Sequence, residues 1–290
     1  MRIVSLLPSA TETVCALGAR AELVARSHEC DFPAGVESLP ALSSPRLDPR
    51  AAGRVIHDRV EELVTRGLSI YEIDAERLRA LAPDVIVTQT LCEVCAASPA
   101  DLERALCQWT GAAPRIVSLA PLSLDDVLGD VTRVGEAIGR GTAGAALVAK
   151  LRARIESLTA LARIAPTRPR VAALEWLDPL IAGGNWMPEL IERAGGISVF
   201  GKAGEHSPRV SFEALEAAEP DVVLVVPCGF GIPQAVAELE RVPRLRRFRT
   251  AVLDGNQYFN RPGPRIVESL EILLGILHPE LTPHQGAHSP

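Results

Sequence analysis

A chain of 290 residues with 30 basic and 36 acidic side chains carries a formal net charge of −6 and is 47% hydrophobic. That length allows one large core or two lobes, and the apolar fraction excludes extensive disorder. The acidic balance speaks against a general nucleic-acid binder, and no uncharged apolar run approaches the roughly 20 residues of a membrane helix.

Met1 and Arg2 lead straight into Ile3-Val4-Ser5-Leu6-Leu7-Pro8, which reads as a strand. A secretory leader would need a basic segment, an apolar stretch and a cleavage site before the fold begins. The sequence as given therefore predicts a cytoplasmic protein, or a periplasmic one if a leader was removed. Ser9-x-x-Glu12 has capping-box spacing and predicts a helix opening at Ser9. Leu23 to Arg26, Asp84 to Thr88 and Arg115 to Leu119 read as further strands, with a helix from about Pro99 to Trp109. Leu124 to about Ile164 is helical sequence interrupted at Gly139-Arg140-Gly141. Alternation then resumes with strands at Arg170 to Leu174, Asp221 to Val226 and Thr250 to Leu253, and helices at Met187 to Ala194 and Pro264 to Leu277. This alternation predicts an α/β fold with mainly parallel central sheets.

A repeat divides the chain. Asp74-Ala-Glu-Arg-Leu to Pro83-Asp84-Val-Ile-Val matches Ser211-Phe-Glu-Ala-Leu to Pro220-Asp221-Val-Val-Leu, with Ser211 and Asp74, Glu213 and Glu76, Pro220 and Pro83, and Asp221 and Asp84 each 137 residues apart. Helix–Pro–Asp–strand is a common α/β connection on its own; four anchors at one offset predict two related lobes. The expected organisation is an N-terminal lobe over 1–139, a long backbone helix over 140–165, a C-terminal lobe over 166–280 and a frayed tail over 281–290. Such a helix, at about 1.5 Å per residue, is long enough to bridge two lobes.

Open α/β sheets bind ligands beyond the carboxyl ends of their strands. Cys92 lies eight residues after Asp84 and Cys228 seven after Asp221, so both thiol-bearing loops are expected to face an interlobe cleft. Ser27-His28-Glu29-Cys30-Asp31 adds a third cluster. His28, Cys30, Cys92, Cys95 and Cys228 together form a soft ligand set suited to zinc, iron or another transition metal. The alternative reading is that these are small buried thiols and a hydrogen-bonded loop histidine; Cys15 and Cys107, on helical patterns, read as packing residues. Arg261, Tyr258 and Phe259 give the loop before the last helix recognition chemistry, an arginine being able to hold a carboxylate or phosphate bidentately. Trp176 and Trp186 follow a strand and read either as ligand contacts or as half-buried packing. Ser9 and Glu12 sit at the same cleft edge. Glu76 and Glu213 open their helices, where a carboxylate suits the helix dipole.

The order Arg2-Ile-Val-Ser-Leu-Leu-Pro-Ser-Ala-Thr-Glu12, Pro83-Asp84-Val85-Ile86, Gly195-Gly196 and Tyr258-Phe259-Asn260-Arg261 resembles the cobalamin- and iron-siderophore-binding proteins of ABC importers, over nearly the whole chain. The resemblance implies two α/β lobes joined by a rigid helix. It implies a ligand held by Trp176, Tyr258, Phe259 and Arg261, and docking onto an ABC permease through Glu76 and Glu213. The chain is accordingly expected to be a leaderless relative: a binding protein that holds a cobalamin-like or other metal-chelate ligand, or a metal, in the cleft. One alternative is a metal- or thiol-dependent cytoplasmic enzyme using Glu12, Glu93 or Glu175 as base. The other is a conventional importer component whose leader is missing.

Overall fold

Strand β1 (Ile3–Ser5) pairs in parallel with β2 (Leu23–Arg26) on one side and β5 (Val85–Gln89) on the other, and β5 pairs in parallel with β6 (Arg115–Leu119). The resulting order is β2-β1-β5-β6. Successive side chains of a strand point to opposite faces, and the core follows that rule. Ile3, Val85, Val87, Val117 and Leu119 pack with Ala10, Val14, Val134 and Ile138 on one face, while Val4 and Ile86 pack with Leu42 and Leu78 on the other. A sheet covered on both faces gives uninterrupted apolar strands; β5 is buried at all five positions.

The structure, a computed structural model, describes residues 1–66, 70–89 and 113–281. The expected helix at 99–109 and most of the expected frayed tail lie outside the described residues. The chain divides into two compact units, Met1–Pro121 with Asp125–Ala149, and Leu122–Leu124 with Lys150–Pro290. The division falls inside the 22-residue helix Gly141–Ala162, which follows helix Leu124–Ala137.

The second unit repeats the topology of the first. β7 (Arg170–Leu177) pairs in parallel with β9 (Ile197–Ser198) and β10 (Val222–Val225), and β10 with β11 (Thr250–Val252). A short antiparallel strand, β8 (Leu180–Ala182), is added beside the carboxyl half of β7. Thus β7 runs three residues beyond the expected Leu174, because β8 gives that extension a partner.

The 137-residue offset holds atom by atom. Asp74 caps helix Ala75–Leu81 by accepting the Arg77 N–H, and Ser211 caps helix Phe212–Ala217 by accepting the Ala214 N–H. A non-glycine residue in the left-handed region follows each helix at the same offset, Ala82 at φ 41° and Glu219 at φ 43°. Asp84 and Asp221 then each take a backbone N–H from the opening of the neighbouring strand, of Arg2 and of Arg170, both at 2.7 Å. The Arg2 side chain donates to the Leu81 carbonyl and the Arg170 side chain to that of Ala218, again 137 apart.

The capping box expected at Ser9 is overturned. Helix Pro8–Ala16 opens with Pro8 in its first turn and no side chain capping it. A ring-fixed φ and a missing N–H suit that position, which moves Ser9 and Glu12 inside the helix, both buried. Among the elements that the sequence pattern does not announce are the antiparallel pair β3 (Ser43–Pro45) and β4 (Tyr71–Ile73), and helix Gly53–Thr65.

Candidate functional site

At the carboxyl end of β1 the polar groups are spent on one another. Ser5 Oγ donates to the Leu7 carbonyl at 3.0 Å, and Thr11 Oγ1 lies 2.8 Å from Ser5 Oγ and 3.0 Å from Cys30 Sγ. Thr11 has one hydroxyl hydrogen for its two neighbours, and Ser5, Thr11 and Cys30 share one buried hydrogen-bond chain. Cys30 is 1% exposed. The structure thus gives it a place in a core hydrogen-bond chain.

His28, two residues earlier, is half-buried. Its Nδ1 lies 2.8 Å from Ser43 Oγ, which also accepts the His28 backbone N–H at 3.1 Å. Its ring stands 5.3 Å from that of Tyr71, whose hydroxyl donates to Glu29 Oε1 at 3.1 Å. Burial, helped by the Arg26 charge, pushes the His28 pKa below its ordinary value, so the imidazole is neutral at physiological pH. Ser43 and Tyr71 come from β3 and β4, which explains why the sequence showed His28 and Glu29 but not their partners.

In the second unit, Glu175 and Trp176 lie near the carboxyl end of β7. Glu175 Oε2 accepts Ser207 Oγ at 2.6 Å, and Ser207 Oγ accepts the Gly184 N–H at 3.1 Å. Gly184 is required there: a Cβ would stand 2.4 Å from the Ser207 nitrogen. This carboxylate ties the Gly183-Gly184 turn to the segment before Arg209. Trp176 is half-buried; its indole N–H donates to the Asp178 carbonyl at 3.2 Å and its ring packs 5.3 Å from that of Phe230.

The loop after β11 forms a π turn, Gly255–Phe259, opened by Asp254 accepting the Gln257 N–H. Its glycine lets the backbone pass the Pro227 carbonyl, which would be 2.3 Å from a Cβ. Asn260 Nδ2 donates to the Val226 and Gly255 carbonyls at 3.2 and 3.0 Å, while Cys228 Sγ donates to Asn260 Oδ1 at 3.2 Å. Asn260 therefore stitches the ends of β10 and β11 together, a role the sequence concealed inside the Tyr-Phe-Asn-Arg run. Phe259 is 1% exposed, Trp186 donates to its carbonyl at 3.1 Å, and Arg261, 3% exposed, donates to Asn256 Oδ1 at 3.1 Å. Tyr258 is half-buried beneath the Arg265 guanidinium, 4.4 Å from its ring centroid.

The expected site residues therefore sort by accessibility. Trp176 and Tyr258 present aromatic surface at the carboxyl edge of the second sheet, whereas Trp186, Phe259 and Arg261 are built into its interior. Cys92 and Cys95 lie outside the described residues, as does Glu93. Among the described residues, no three His, Cys, Asp or Glu side chains gather into a metal-holding group, and Cys30 and Cys228 are occupied as above. Glu76 and Glu213 are both exposed in the first turn of their helices. Glu213 pairs with Arg244 at 3.2 Å, and its pKa is lowered by hydrogen bonding to its own backbone N–H and to Arg244 and Ser211. No described helix is long and apolar enough to cross a membrane.

A family model described as periplasmic binding protein matches residues 3–261. The chain belongs to that family. Similar relatives include the vitamin B12-binding protein of Vibrio vulnificus, 25% identical over 276 residues that span 93% of this chain and 87% of the relative. The cobalamin-binding protein of Halobacterium salinarum is 28% identical over 169 residues, 55% of this chain and 46% of the relative. Among solved structures, a periplasmic heme-binding protein from Pseudomonas aeruginosa superposes with a TM-score of 0.71 at 22% identity, covering 96% of this chain and 92% of that one. The periplasmic vitamin B12-binding protein of Vibrio cholerae gives 0.66 at 20% identity, covering 98% of each. At those identities the structural likeness speaks for the fold, which is the two-unit α/β arrangement read from the repeat.

Proposed function

We propose that this chain is the ligand-binding component of an importer and holds a metal chelate of the cobalamin or haem kind at the carboxyl edge of the sheet in its second unit. The observation that carries the reading is Trp176. A half-buried indole at the end of β7, braced by Phe230 and fixed through its N–H, offers a flat apolar face where α/β sheets take ligands. A macrocycle with an apolar rim suits such a face. The family match and the names of the relatives support the same ligand class. Tyr258 adds a second aromatic surface. The metal enters as part of the cargo. Exposed Glu76 and Glu213, equivalent in the repeat, would meet a permease.

Titration of the protein with cyanocobalamin and with haemin, followed by tryptophan fluorescence, tests the ligand class. Saturable quenching that disappears in Trp176→Ala is expected for one of the two. Absence of quenching by both, with neither retained through gel filtration, overturns the reading.

A further inference from the structure

The repeat makes Glu76 and Glu213 counterparts, yet their surroundings differ. Both stand exposed in the first turn of a capped helix. Glu76 makes no ion pair among the described residues, whereas Glu213 is bonded to Arg244 at 3.2 Å.

Arg244 is held from three sides. Glu216 lies 3.2 Å from the same Nη2, and the guanidinium carbon sits 4.2 Å from the centroid of the Phe212 ring. The next residue, Leu245, is fully buried with Leu215, Val223 and Val225, which fixes the segment that carries the arginine. A guanidinium over an aromatic face and between two carboxylates keeps its place better than one in a single exposed pair.

The first unit lacks the parts for such a clasp. One repeat earlier, Phe212 is replaced by Ala75 and Glu216 by Arg79, so neither the ring nor the second carboxylate is there. The caps differ in the same sense, Asp74 being acidic where Ser211 is neutral. A carboxylate pairs best with a guanidinium, and at Glu213 this chain already supplies one. Glu213, Arg244 and Phe212 also line a cavity of about 500 Å³ with Pro179, Val242 and Pro243. An incoming side chain therefore has space beside Glu213, and Arg244 keeps Glu216 and the Phe212 ring when it lets Glu213 go.

We propose that the two carboxylates assigned to docking are unequal: Glu76 is open to a partner's guanidinium from the outset, whereas Arg244 occupies Glu213 as an in-chain stand-in and yields it only by exchange, falling back on Glu216. The inference rests on the docking reading above and makes the contact of the second unit the conditional one.

The test uses the whole protein and the peptide acetyl-Arg-Arg-amide as the cation, without permease or ligand. A water-soluble carbodiimide with glycinamide labels accessible carboxylates, and mass spectrometry reads the labelling at residues 76 and 213 as the peptide is raised. Half-protection of Glu213 is expected at a peptide concentration about threefold above that for Glu76, the size of an exposed ion pair. Arg244→Ser should lower the Glu213 value about threefold and leave the Glu76 value unchanged. Arg246 makes no ion pair among the described residues, so Arg246→Ser, which removes the same charge from the same segment, should move neither value. Equal half-protection in the unaltered chain, or no protection of Glu76, overturns the inference. So does a Glu213 value that Arg244→Ser leaves in place, or that Arg246→Ser lowers as far, which would mark the field of the whole segment. Both arginines are exposed, so these variants keep the fold. No permease enters the measurement: unequal protection in a chain that docks on no permease fails the docking reading alone, and equal protection in one that docks fails this inference alone.

Discussion

Asp84 and Asp221 do the same work in different units, each carboxylate accepting the backbone N–H that opens the adjacent first strand, of Arg2 and of Arg170, at 2.7 Å. Each aspartate follows the proline that stops a repeat helix, so one residue ends a connection and sets the register of two strands. Asp221→Ala and Asp84→Ala are each expected to cost about 1.5 kcal/mol, the lower end for a hydrogen bond to a charged group because both sites face solvent. Denaturant unfolding measures this; a midpoint unchanged in both variants would remove the role assigned to them.

Trp176 and Trp186 should respond in opposite ways. Trp176→Ala is expected to weaken ligand binding by about 30-fold, the size of an aromatic hot spot of about 2 kcal/mol, with the unfolding midpoint nearly unmoved. Trp186, 7% exposed and bonded to the Phe259 carbonyl, should lose about 3 kcal/mol of stability on truncation to alanine. Paired binding and unfolding curves separate the two roles.

Asp130 predicts the pH dependence of stability. It is 3% exposed, and burial raises its pKa from 3.8 to about 6 against the opposing pull of Arg133. Between those values the folded chain keeps a proton that the unfolded chain releases, so this residue's contribution falls as pH rises through the window and stays unfavourable above it. Asp130→Asn is expected to stabilise the protein at pH 7 by about 2 kcal/mol, with the gain fading as pH falls toward 4. A gain that grows on acidification contradicts the assignment.

Gly184→Ala tests the Glu175 tie. The new methyl would meet the backbone of Ser207 at 2.4 Å, and backbone cannot rotate aside, so a loss of about 2 kcal/mol is expected. Hydrogen exchange at the Gly184 amide, which donates to Ser207, should accelerate in Ser207→Ala as well. Unchanged exchange there would separate the glycine from the tie.

Much of the architecture was legible because α/β repeats announce themselves through buried strands and their punctuation. Val85-Ile-Val and Val222-Val-Leu-Val are apolar at every position because both faces are covered, and Pro83 and Pro220 mark where helices stop. What escaped has short-range causes. β3 and β4 are three residues each, joined across a long sequence gap, too little pattern for alternation to show. Pro8 displaced the expected cap at Ser9 because a proline in the first turn opens a helix without one. At the site, residue types were readable but burial was not: Tyr258, Phe259 and Arg261 are near neighbours in sequence, yet only the tyrosine keeps a partly open ring.

The π turn that bears Tyr258 is clamped from below at successive carbonyls, Ser269 taking that of residue 258 and Trp186 that of residue 259. A binding loop fixed in this way has little freedom left to lose when a ligand arrives, so association need not wait for the loop to order itself. The same stiffness makes the turn a poor adapter. A macrocycle whose edge does not fit the presented ring cannot recruit the loop to follow it, and discrimination between related chelates would then appear as differences in how fast they leave.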